Sequence, residues 1–282
     1  MVEDKHVIEA LGKTRVTIEN GEITSVGEPE IEYCPIFGKY HNIKKISKED
    51  VKKNIEYRIK DFGMCTKDRI LKMDDMLSVG ISEILRSNVA LGNIDCVVGA
   101  CEGCGTLLMT DPDLIQGVGG RVSGLVSTTP IPEIIEQVGV ENVLNPQTAE
   151  LNQLEGLKLA IEKGYKKIAV TIIPSPMVKK IRSLEVPDDV EVYIFVAHTT
   201  DSTEECVKEL FENADIVTAC ASKNVIEYAQ IKKPYYYGSA VPIYAITENG
   251  HKFLDARLRH INKPLSINEY PQDLSKMARK LR

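Results

Sequence analysis

With 282 residues, 43% of them hydrophobic and 27% charged, the chain is long enough to bury a sizeable core and lacks the polarity of a disordered segment. A formal net charge of −6 excludes a broad phosphate-neutralising surface, so nucleic acid is not expected as the main partner. No apolar run approaches the roughly 20 residues that cross a bilayer. The opening residues lack a secretory signal, and seven cysteines, an odd number, suit a reducing cytosol better than a disulfide frame.

Along the chain, "RVTIENGEITSV" alternates apolar and polar residues about Asn20-Gly21, which predicts a β-hairpin. Ser47 with Asp50 predicts a helix start, and Val51, Ile55 and Ile59 give that helix one apolar face. Gly63 in "FGMCT" breaks it. A second helical stripe through Leu77, Ile81, Ile84 and Leu85 ends near "ALGN". From Ile94 onward, apolar strands over 94–100, 121–127, 167–173, 190–197, 215–220 and 239–246 alternate with helices over 131–138, 148–163, 176–183, 203–213 and 222–230. Runs such as "KIAVTII" predict strands buried on both faces. The expected fold is therefore α/β, a mainly parallel sheet with helices on both faces, with a partial barrel as the alternative. A small N-terminal β-hairpin and helical region, residues 1–92, precedes an α/β domain over 93–282.

The chemistry concentrates in "CVVGACEGCG". Cys96, Cys101 and Cys104 have the C-x4-C-x2-C spacing used by one class of iron–sulfur protein, and Gly99, Gly103 and Gly105 would let the backbone curl around a cluster. Cys96, inside the strand pattern, is expected in the core. Cys101 and Cys104 fall at the strand's carboxyl end, where sites assemble in parallel sheets, and suit a ligand or redox role or a tight turn. Two thiolates do not complete a metal site, so Cys34, before Pro35, and Cys65, in the "GMC" loop, are the expected completers, with zinc as the alternative to iron–sulfur. Cys206 is expected in a helix core. Cys220, at another strand's carboxyl end, could face the same site.

Two further features define a ligand rim. "GVGGRVSG" has its glycines before a strand, the reverse of a phosphate loop, yet Arg121 could bind an anion there. Thr128, Thr129, His198, Thr199 and Ser202 stand at strand ends, where hydroxyls and an imidazole suit a small anionic substrate, with Ser202 and Glu205 as a capping box. No nucleophile elbow, Walker loop or His-Glu-x-x-His helix is present.

"EYCPIFGKY", "DFGMCT", "CVVGACEGCGTLL", "GVGGRVSGLVSTTPIPEII" and "AVPIYAITENG" together resemble methanogenesis marker protein 8, an archaeal family, along almost the whole chain. The resemblance implies a cytosolic role beside methanogenesis, with other marker proteins or methyl-coenzyme M reductase as partners. By analogy with other marker proteins it also implies an iron–sulfur cluster used in electron transfer or in activating that enzyme. It supplies no catalytic residues. Alternatives from the residues are an enzyme with a cysteine nucleophile acting on a small anion, and a non-catalytic assembly partner.

Overall fold

The computed structural model describes residues 4–34, 43–121, 124–239 and 241–271. β1 (Lys5–Ala10) and β2 (Thr14–Glu19) form an antiparallel pair, and Asn20 and Gly21, at φ 51° and 74°, supply the two left-handed residues that turn β2 tightly into β3 (Glu22–Val26). Ile8, Val16 and Ile18 point to one face of this sheet. They pack on Val51 and Ile55 of α1 (Lys48–Phe62), whose start is fixed by the expected Ser47–Asp50 capping box. Gly63 takes φ 73° and ends the helix.

The larger sheet has seven strands in the order β10-β11-β9-β8-β7-β4-β5. Its centre is parallel: β4 (Cys96–Cys101), β7 (Lys167–Ile172), β8 (Glu191–Val196) and β9 (Ile216–Thr218). Both edges are antiparallel. β5 (Gly105–Met109) returns from β4, while β10 (Tyr235–Tyr237) and β11 (Ile243–Ala245) close the other side. The expectation of a mainly parallel architecture is corrected accordingly: the protein is a mixed α/β fold with one antiparallel and one mixed sheet. The physical cause lies in the "CEGCG" turn, where Gly103 and Gly105 at φ 82° and 70° reverse the chain within three residues. A Cβ on Gly105 would stand 2.2 Å from the Ala149 carbonyl oxygen, so the turn requires glycine there.

Because the central strands follow one another across the sheet in chain order, right-handed crossovers carry all their helices to the same face. Among the described residues, α5 (Gln153–Glu162), α6 (Met177–Arg182), α7 (Glu204–Asn213) and α8 (Lys223–Lys232) cover it, over Val98, Ile168, Val170 and Ile194. The opposite face holds Val97, Ala169 and Phe195 beneath α2 (Ile81–Ala90), α3 (Pro112–Gly119), α4 (Pro132–Val138) and α9 (Glu248–His260). Each fully buried Ile, Val or Leu contributes about 1.5–3 kcal/mol to this three-layer sandwich.

The segment expected as a main-sheet strand over 121–127 behaves otherwise. β6 (Gly124–Ser127) pairs antiparallel with β1, crossing the expected boundary at residue 92 to become the fourth strand of the small sheet; Val122 and Ser123 lie outside the described residues. The α7 cap also differs from expectation. Thr203 accepts from the Cys206 amide at 3.3 Å, and Ser202 instead donates to the Thr199 carbonyl at 2.8 Å. No described helix is long and apolar enough to cross a membrane.

Candidate functional site

Cys101 closes β4 and Cys104 lies in the turn that follows, with the Cys104 amide donating to the Cys101 carbonyl at 3.1 Å. Both side chains are fully buried on the sheet face under α3 and α4. The two thiols hydrogen-bond each other, and this contact, then burial, then the carboxylate of Glu102, holds Cys101 protonated. Its Sγ lies 3.5 Å from Glu102 Oε2. Cys96 faces the opposite way, among Leu157 and Ala160, so β4's alternation separates it from the pair; burial pushes its thiol up to about 12.

Glu102 is the hub of a buried polar cluster. Arg69 donates from Nε to Glu102 Oε1 at 2.9 Å, with neither side chain exposed, and from Nη2 to the Gly117 carbonyl at 3.0 Å; its Nη1 is bound by the Ile70 carbonyl. His6 completes the bracing from the small sheet. Its Nε2 donates to Asp4 at 2.8 Å, because a carboxylate can only accept, and Nδ1 of the neutral ring therefore accepts from Thr128 Oγ1 at 2.6 Å. Burial, opposed by Asp4, lowers the His6 pKa and keeps the ring neutral. Thr128 also accepts the Gly103 amide at 2.8 Å, and Thr129 Oγ1 accepts the Lys5 amide at 2.8 Å. Both expected rim hydroxyls thus clamp the cysteine turn to β1.

Cys65 is buried beside Met64 and Phe62 at a left-handed φ of 58°. Burial first, then Glu102, raises its pKa well above the usual thiol value. Cys34 is half-buried at the margin of the same small core. Among the described residues, no three His, Cys, Asp or Glu side chains stand close enough together to hold a metal ion. Among the described residues the arrangement offers a metal the neighbouring thiols of Cys101 and Cys104, which do not by themselves fit a cluster or a zinc site.

A second grouping lies at the carboxyl ends of β8 and β9. Thr199 is buried, donates to the Thr218 carbonyl and accepts the Cys220 amide at 3.1 Å. Cys220 Sγ lies 3.3 Å from Thr218 Oγ1 and receives the backbone amides of His198 and Thr199, although burial outweighs these donors and leaves the thiol's pKa raised. Cys34 is near enough to act on it electrostatically. His198, Asp201 and Ala221 all take left-handed φ angles, of 57°, 56° and 41°. Such strain outside glycine costs on the order of 1 kcal/mol per residue and gathers at functional sites.

His198 borders a cavity of about 320 Å³ at this edge. Its walls are apolar: Val97 and Met109 from the sheet, Leu85 from α2, Ile115 and Val118 from α3. Thr171, Ser175 and His198 supply polar groups, and Gly99 contributes by omission, since a Cβ there would stand 2.5 Å from Met109 Cε. The His198 ring is reachable by solvent yet enclosed by protein. That enclosure, with the nearby Arg58 charge, lowers its pKa, so the imidazole is neutral. Sequence reasoning found His198 but missed His6, Arg69, Glu102 and the cavity itself; Glu102 between two cysteines was the visible signal.

Fold and site define a three-layer α/β protein with an apolar cavity at the carboxyl edge of its parallel strands. The chain belongs to DUF2099, a family described as an uncharacterised protein conserved in archaea, whose profile matches residues 6–259. An uncharacterised protein of Methanocaldococcus jannaschii is 44% identical over 276 residues, covering 95% of this chain and 96% of that relative. No solved structure matches.

Proposed function

We propose that the protein binds a small molecule with an apolar body in the carboxyl-edge cavity, next to the neutral imidazole of His198. The observation that carries this reading is the cavity: about 320 Å³, apolar-walled, with a few polar groups at one end, in the crevice where open α/β sheets bind ligands. Left-handed backbone at His198, Asp201 and Ala221 supports it. The test is titration with N-phenyl-1-naphthylamine, a neutral apolar fluorophore. Saturable binding is expected, and Ala197→Leu, which fills the cavity from its wall, should abolish it with no loss of fold by circular dichroism. Binding unaffected by Ala197→Leu would remove the cavity from the account.

A second reading rests on the paired thiols Cys101 and Cys104: an iron–sulfur cluster, or zinc, in a cytosolic protein serving methanogenesis through electron transfer or activation of methyl-coenzyme M reductase. It requires Cys34 and Cys65, or thiols of a partner, to approach the pair. Anaerobic purification followed by iron, sulfide and zinc analysis tests it. Stoichiometric metal that disappears in Cys101→Ser/Cys104→Ser supports this reading, and metal-free protein overturns it.

A further inference from the structure

Among the described residues, no Asp, Glu, Lys or Arg lines the cavity. An ion entering such a site gives up its hydration with no opposite charge to replace it, and that costs far more than desolvating a neutral amide or hydroxyl whose hydrogen bonds are met inside. The charge of Arg58 reaches His198 from outside the walls, and its Nη1 is bound by the Arg121 carbonyl at 3.4 Å. The walls therefore select against charged ligands.

What the walls do hold is three neutral side chains, Gln153, Ser175 and His198, that make no side-chain hydrogen bond among the described residues. The fold brings them to one edge. β7 and β8 run parallel with Ile172 opposite Val196, and the Ala197 amide donates to the Ile172 carbonyl at 3.1 Å, so Ser175 and His198 leave neighbouring strand ends. Asn152, the cap of α5, donates its amide to Thr106 Oγ1 at 2.8 Å, and Thr106 lies opposite Ala100 near the end of β4, which sets Gln153 on the same edge. A carboxamide, a hydroxyl and an uncharged imidazole each donate and each accept. Burial, with Arg58 acting in the same direction, lowers the His198 pKa and keeps its ring in that two-sided form.

We infer that the molecule taken by this cavity is uncharged and ends in a carboxamide or lactam: its apolar body lies along Val97, Leu85 and Val118, and the C=O and N–H of its amide meet His198, Ser175 and Gln153. This rests on the cavity reading above and adds the charge and head group of the ligand. An amide presents an acceptor and a donor on separate atoms to these three groups, whereas a carboxylate only accepts and a hydrocarbon does neither. The volume of about 320 Å³ is at the small end of ligand sites and suits a body of two fused rings.

The test is displacement of bound N-phenyl-1-naphthylamine by three compounds that share a naphthalene body: 1-naphthaleneacetamide, 1-naphthaleneacetate and 1-ethylnaphthalene. The wild-type protein is expected to prefer the acetamide to the hydrocarbon by about 5-fold, the effect of one net hydrogen bond, and to the acetate by at least about 10-fold. Ser175→Ala/His198→Gly removes two of the head-group partners, and glycine suits the left-handed φ of 57° at position 198. This variant should bring the acetamide down to the hydrocarbon's level and leave the hydrocarbon as in wild type. Acetate binding as tightly as the acetamide, equal wild-type affinities for acetamide and hydrocarbon, or a variant that weakens both alike would each overturn the head-group assignment. Failure of the cavity reading is separately visible, as N-phenyl-1-naphthylamine binding that Ala197→Leu does not alter. Should the double variant not fold, the wild-type ranking and Gln153→Leu, expected to lower the acetamide's affinity alone, decide the matter.

Discussion

Arg257, in α9, donates to the two Asp75 oxygens at 2.6 and 2.7 Å, to Ser87 Oγ at 2.9 Å and to the Ser78 carbonyl at 2.8 and 3.0 Å. Arg121, at the carboxyl edge, rests on Phe62 and leaves Nη1 without an acceptor among the described residues. The first arginine ties the 75–78 loop to α2 and α9, and its carboxylate partner is held at a pKa of about 2, chiefly by the hydrogen bond from Arg257. The second shares the Phe62 ring with Arg69, whose own charge is met by Glu102 at 2.9 Å. A fully matched guanidinium marks a structural joint, and one that rests on an aromatic ring with an unmet donor holds the fold less tightly.

Removing a matched arginine should have the largest effect. Arg257→Met takes the closest cation from Asp75, which keeps Arg86 at 3.5 Å and His260 at 3.6 Å, and leaves the Ser78 carbonyl and Ser87 hydroxyl without their guanidinium donor; it is expected to cost about 3 kcal/mol in urea unfolding. A loss under about 1 kcal/mol would show that this joint is not matched as described. Arg69→Met should cost about 3 kcal/mol by leaving Glu102 buried and unpaired, and adding Glu102→Gln should recover much of that loss. Additive losses in this double variant would mean that the pair does not act as one unit.

Acid should separate the two regions by pH. His6 is held below its ordinary 6.5 by burial, so below about that pH the unfolded chain takes up the proton more readily than the folded one. Stability therefore falls as the pH drops from 7 through the His6 range, and this part of the slope should vanish in His6→Asn. Asp75, depressed from 3.8 to about 2, contributes stability that is complete above 3.8 and lost only between there and about 2. A single acid transition with no His6 component would break the distinction. The smallest change is expected at the unmatched site: Arg121→Met should leave ligand-free stability within about 1 kcal/mol of wild type, because the stacking it loses is offset by relief of a buried unmet donor.

The periodic parts of the fold were legible. β7, β8 and α7 follow the apolar runs and stripes of 167–173, 190–197 and 203–213 to within a residue at each end, because burial on one or both faces writes its period into the residues, whereas α5 starts five residues later than the expected 148, at the Asn152 cap. Cys96 was placed correctly in the core by the same alternation. β5 was missed because "GTLLM" is too short to show a period, and its pairing depends on the left-handed glycines before it. The thiols of Cys101 and Cys104 were recognised as neighbours. Their bracing was not, since Arg69, His6 and Thr128 come from segments 25 to 122 positions away from their partners, and no local pattern encodes such contacts.

The pairing of β6 with β1 has a consequence for how the chain comes off the ribosome. The Lys5 amide waits for the hydroxyl of Thr129, a separation of 124 positions, and β1 lacks its second neighbour until that stretch has been made. Closing so long a loop is slow relative to local structure formation, so the first hairpin and α1 should form early and be locked late. The same stitch sets a limit on engineering: a fragment beginning at residue 93 would carry β6 with an open edge where β1 belongs, and should aggregate where the whole chain does not.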